Sequence, residues 1–201
     1  MALRFAGEPV GAAEAIHRAL VRNAGTGRGI GGRPEALDLL GAGPNINLAA
    51  PHPVFDLQLD QLAAGAGLGA AKPAGWRFLI MRGQAAIGSA EVVVDVGGAA
   101  SQVSALNTGP FVASTERGIR SAERLPQVEH GSFELRLLRI PALYILALWL
   151  KNTSDASDII IPLPPAPRYV EQGHPYGPAE FLQRLRGLAK DRLAFDDTPR
   201  K

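Results

Sequence analysis

Four histidines, a few carboxylates and one glycine-rich loop are where this sequence could hold chemistry. Gly27-Arg28-Gly29-Ile30-Gly31-Gly32 spells G-x-G-x-x-G. That spacing lets backbone N–H groups approach a pyrophosphate when a strand leads into it and a helix leads out. Here a helical pattern precedes the loop, no strand feeds it, and no Lys-Ser/Thr pair follows as in a P-loop. The reading is a flexible linker, with a loose anion site on Arg28 and Arg33 as the alternative.

The histidines, His17, His52, His130 and His174, show no short metal-ligand spacing. His17 falls near the apolar side of an amphipathic helix, where a partly buried, satisfied imidazole is the expectation. His52 and His174 each precede a proline and read as exposed loop residues. His130, between Glu129 and Gly131-Ser132, has both a carboxylate and a hydroxyl nearby, which makes it the candidate general base. Members of catalytic arrays usually meet from distant segments, however, so adjacency in sequence is weak support.

Among the carboxylates, Glu91 and Asp95 are four apart on one strand and therefore share a face. That face could line the concave side of a curved sheet, where burial would raise a carboxyl pKa. Solvent exposure is the competing expectation and the one adopted. Asp155 and Asp158 flank a hairpin turn, where Asp hydrogen-bonds its own backbone. The chain has no Gly-x-Ser-x-Gly elbow, no His-Glu-x-x-His and too few clustered oxygens for a calcium loop. Zero cysteines remove disulfides, thiolate nucleophiles and cysteine-ligated metals. No cofactor and no metal are expected.

Charge narrows the partners. Of 21 basic residues 17 are Arg and 4 Lys, set against 19 acidic ones, so the net charge is only +2. That excess gives little pull towards nucleic acid or membranes. Arg117, Arg120 and Arg124 share one helix and Arg184 and Arg186 another, but each set is interleaved with Glu or Gln. Aromatics are too sparse for a stacking surface, so nucleic acid is not an expected partner. The abundance of Arg, Ala and Gly reads as the signature of a GC-rich bacterial genome.

The elements that must position these groups come from periodicity. With 46% apolar and 20% charged residues, the composition is that of a globular chain, read as a single domain over 1–201. It divides into a helical, Gly-rich segment over 1–50, an α+β core over 51–190 and a loose tail from 191. Pro9 to Asn23 reads as a helix with Val10, Ala13, Ile16 and Leu20 on one face. A short helix follows from Pro34 to Leu40. Val54 to Leu59 alternates as a strand, and Gln61 to Ala74 offers a weak helical turn at best.

Trp76 to Met81 and Ala90 to Val96 form a hairpin whose loop is not of the tightest kind. A polar stretch leads to a helix over Pro110 to Leu125, carrying Phe111, Thr115, Ile119 and Ala122 on its apolar stripe. The apolar run from Phe133 to Leu163 is the structural heart. Phe133 to Ile140 is a strand, and Arg139 breaks its alternation, suggesting a bulge or a sheet edge. Ala142 to Leu150 is apolar throughout, and strand is favoured over buried helix. Asp158 to Leu163 is a further strand, and Gly177-Pro178 opens a helix with Phe181, Leu182, Leu185, Leu188 and Ala189 inward.

Strands joined by short turns, without βαβ alternation, predict an α+β fold. Its sheet would be mainly antiparallel and curved, with about five to six strands covered by helices on one face. Such an order could also curl into a half-cone of the kind seen in cystatin-like folds, an analogy that carries no function. The start of the chain has no continuous apolar stretch, and no run reaches the ~20 residues of a membrane span. The expectation is therefore soluble and cytoplasmic.

No residue pattern reaches the specificity of a catalytic motif. The leading expectation is a non-enzymatic module that binds a protein or a second copy of itself through Arg139, Leu143, Ile145, Leu148 and Trp149. The alternative is a small enzyme or ligand carrier with its pocket between the sheet and the Pro110 helix, near Trp76, Glu91, Asp95 and His130. A third is an adaptor for an acidic partner.

Overall fold

The computed structural model describes residues 3–24, 45–154 and 157–196. The glycine loop, the Pro34 helix, Asp155 and the last five residues lie outside the described residues. The fold class is the expected one, α+β with mostly antiparallel strand pairings, but with eight strands among the described residues where five to six were predicted. The chain divides into two compact units. One comprises Met1–Arg4, Val54–Pro73 and Ser121–Lys201, and the other Phe5–Pro53 and Ala74–Arg120. They are called below the β6–β8 unit and the β3–β5 unit.

In the β3–β5 unit, β2 (Ile46–Asp56) supplies its first part, followed by β3 (Lys72–Arg82), β4 (Ala85–Val94) and β5 (Ala100–Asn107) in the order β5-β4-β3-β2. The β3–β4 turn is Gly83-Gln84 alone, with Gly83 at φ +59°. The hairpin is therefore tighter than the sequence suggested, because a left-handed glycine suits the twist of a two-residue loop. β5 replaces the polar connector expected there, since Ala-Ser-Gln-Val-Ser-Ala-Leu-Asn carries little apolar signal.

Helix α1 (Ala12–Ala24) buries Ala12, Ile16 and Leu20 against Phe78, Ile80, Ala90 and Val92. Val10 and Ala13 are exposed rather than inward, and so is His17. The helix starts at Ala12, three residues later than Pro9, and its buried stripe is Ala12, Ala15, Ile16, Ala19 and Leu20. Helix α3 (Pro110–Ala122) ties its outer side to the β3–β4 turn. Ala86 N–H donates to Glu116 and Arg120 donates to the Gln84 carbonyl.

In the β6–β8 unit, β1 (Leu3–Arg4) and the last three residues of β2 pair in parallel with β6 (Phe133–Ile140). β6 pairs antiparallel with β7 (Ile145–Asn152), and β7 with β8 (Ile159–Pro162). β6 has the predicted bounds. Its Arg139 marks neither bulge nor edge: it stands opposite Asp56 in the β2 register, and the two form a double hydrogen bond of 2.6 and 3.0 Å. The alternation breaks there because a neighbouring strand supplies the counter-charge.

The run Ala142–Leu150 is strand from Ile145, after a 3-10 turn over Pro141–Leu143 closed by Tyr144 at φ +53°. Helices α2 (Leu59–Ala64) and α5 (Pro178–Asp196) pack on this unit. Phe181, Leu182, Leu185 and Ala189 cover Ile145, Ala147 and Trp149. A short helix, α4 (Pro126–Glu129), precedes β6. No described helix is long and apolar enough to cross a membrane.

Candidate functional sites

Among the described residues, polar side chains gather at one place in each unit. In the β3–β5 unit, Arg77 of β3 and Glu91 of β4 are register partners. Strand alternation puts them, with Ser89, on the face opposite Phe78, Ile80, Ala90 and Val92. Both charged groups are buried, and Arg77 donates through Nε (2.9 Å) and Nη2 to Glu91 Oε1. Glu91 is thus neither solvent-exposed, as expected, nor an isolated carboxylate. Asp95 lies past the end of β4 and is exposed. Its Oδ1 accepts the N–H groups of Gly97 and Ala99 and shapes the turn into β5.

His52 belongs to the same cluster, and its burial corrects the exposed-loop reading. The ring is completely buried on β2, and Nδ1 donates to the carbonyl of Ala50 at 2.6 Å. A carbonyl can only accept, so the proton sits on Nδ1 and Nε2 is left as an acceptor. Burial pushes the His52 pKa down from 6.5 to about 4; the Ala50 hydrogen bond opposes this, the Arg77 charge adds to it and Glu91 opposes it. Nε2 of His52 and Oγ of Ser89 are both buried with no protein partner among the described residues. Sequence reading missed this site because Pro51 and Pro53 disguise the strand, and Ala50 takes a left-handed φ of +49° that breaks the local pattern.

In the β6–β8 unit an open groove of about 580 Å³ lies at the end of β6–β8. That volume is in the range of small-molecule sites. Its apolar surface is Phe133, Ile159, Pro175 and Tyr176; Gln127, His130, Asn152, Ser154, Ser157 and Asp158 supply the polar groups. One wall is tightly organised. Asp158 accepts from Trp149 Nε1 at 2.8 Å, from the Asn152 N–H at 2.9 Å and from Lys151 at 3.2 Å. Asn152 Oδ1 in turn accepts the Ser154 N–H and hydroxyl. Asp158 therefore plays the turn-stabilising role its position implied.

Tyr176 exchanges two backbone hydrogen bonds with Ile160, and its hydroxyl accepts the Glu171 N–H. The other wall is the end of α4, where His130 is exposed. Among the described residues the His130 ring has no hydrogen-bond partner. Ser132 is bonded to Thr153 instead, at 2.9 Å.

The sequence-derived candidates are thus spread over the chain. Glu91 is in one unit and His130 in the other, Asp95 is at an exposed turn, and Trp76 packs beside the α1 core. Leu143, Ile145, Leu148 and Trp149 are buried inside the β6–β8 unit, and Arg139 is paired with Asp56. Compared with known proteins, the chain matches no family model, no curated protein and no solved structure.

Proposed function

We propose that this chain is a binding protein whose working surface is the groove between His130 and Asp158, and that its ligand is a small polar molecule. The observation that carries this reading is the convergence of hydrogen-bonding side chains over an apolar floor, in a groove of ligand size. The self-assembly reading drew on the apolarity of Ala142–Leu150, and that apolarity is consumed within the chain, because Ile145 to Leu150 are all buried. Binding is favoured over catalysis since no described residue orients the His130 ring as a general base requires.

The test is chemical-shift mapping with free amino acids, nucleosides and monosaccharides as separate probes at millimolar concentration. One class should shift the amides of Gly131, Asn152, Ser154 and Ile159. Asn152→Ala and His130→Ala should each weaken that response by about tenfold, the worth of one hydrogen bond. No response at these amides from any class, or an undiminished one in both variants, rejects the groove. Native mass spectrometry of the same samples tests self-assembly, which requires a dimer or larger species.

A further inference from the structure

We propose that His52 is an acid-operated release for the first part of β2: neutral, its imidazole locks Ala50 to Pro53 in place, and protonated, it frees Ile46 to Pro53 from β3. The geometry carries this. The ring is wholly enclosed, its Nδ1–H is committed to the Ala50 carbonyl, and Nε2, the atom that would take the proton, has no acceptor in reach among the described residues.

A proton there would create a buried cation with an unmatched N–H, one of the costliest things a protein interior can hold. The charged groups acting on the ring are Arg77 of β3, which opposes the added charge, and Glu91 of β4, which favours it but is already bonded to Arg77. Opening is the remaining way to hydrate the cation. The yielding segment is marked by Ala50 at φ +49°, a left-handed conformation that is strained for an alanine, and by Pro51 and Pro53, which donate no ladder hydrogen bonds.

Hydrogen exchange of the intact chain, corrected for the intrinsic pH dependence of exchange and followed across low denaturant concentrations, tests it. With the folded-state pKa lowered from 6.5 to about 4, the opening constant of the amides from Ile46 to His52 should rise roughly 30-fold between about pH 7.5 and about pH 5. Its denaturant dependence should be far shallower than that of the α5 amides, as befits a local opening. His52→Phe should abolish the pH dependence, while His130→Ala should keep it. The proposal fails if the amides from Ile46 to His52 open with the same free energy and denaturant slope as α5, or if His52→Phe retains the rise. Should that variant not fold, NMR titration of the native ring decides: protonation only below about pH 5 supports the release, and protonation near 6.5 overturns it.

Discussion

Arg77 and Glu91 face one another across the β3–β4 register, fourteen residues apart in the chain, and form a buried ion pair with two N–H groups on a single carboxylate oxygen. Removing one partner strands the other charge in a low-dielectric interior. Arg77→Met and Glu91→Gln should each lower unfolding free energy by about 3–5 kcal/mol. The double variant Arg77→Met/Glu91→Gln should be clearly milder than the sum. Urea midpoints at constant slope measure all three, and additive losses would disprove the coupling.

Whole-chain stability should depend on pH through His52, with a definite sign. Its folded pKa is lowered to about 4, so the unfolded state binds the proton first. The contribution is complete above about pH 6.5 and is lost as pH falls towards about 4. The shift corresponds to about 3 kcal/mol. Whatever the gap at neutral pH, wild type should lose that much relative to His52→Phe over this window. Groups common to both proteins cancel, and a constant difference across the window would refute the assignment.

Asp158 holds the organised wall of the groove through Trp149, Asn152 and Lys151. Asp158→Ala leaves the indole N–H and a backbone N–H without acceptors and should cost about 3 kcal/mol. Asp158→Asn keeps one acceptor oxygen and should cost less. Trp149 emission should change in both variants, because the indole loses its carboxylate partner. An Asp158→Ala protein of wild-type stability would show that the three bonds are replaced by water.

Two glycines of the β3–β4 hairpin should respond differently to alanine. At Gly83, φ is +59° and nothing lies within 4 Å of an added Cβ, so only backbone strain of about 1 kcal/mol is expected. At Gly75, φ is +134° and the Cβ would stand 2.5 Å from the Val92 carbonyl oxygen. That substitution should cost at least about 2 kcal/mol, since two strands must part. Thermal unfolding of the pair ranks them, and an equal or reversed order would contradict the hairpin geometry.

The sequence by itself determined the elements whose signal is local. Phe133 to Ile140 alternates, and its bounds as β6 follow from that alternation. Pro110 and Pro178 open helices because proline suits a first turn, whose N–H groups lack intrahelical partners. The α+β class follows from the order of such segments. What the tertiary structure alone decided depends on neighbours. β5 is a strand because β4 offers it a ladder, although its side chains are polar. β7 has no wet face because α5 covers one side and the other is buried too. Glu91 is inside rather than in water because Arg77 meets it across the register, and His52 is inside because a left-handed Ala50 lets a proline-flanked segment continue β2. A side chain's partner across a sheet sits at no fixed distance along the chain, so periodicity can place an element without telling which polar groups it will bury together.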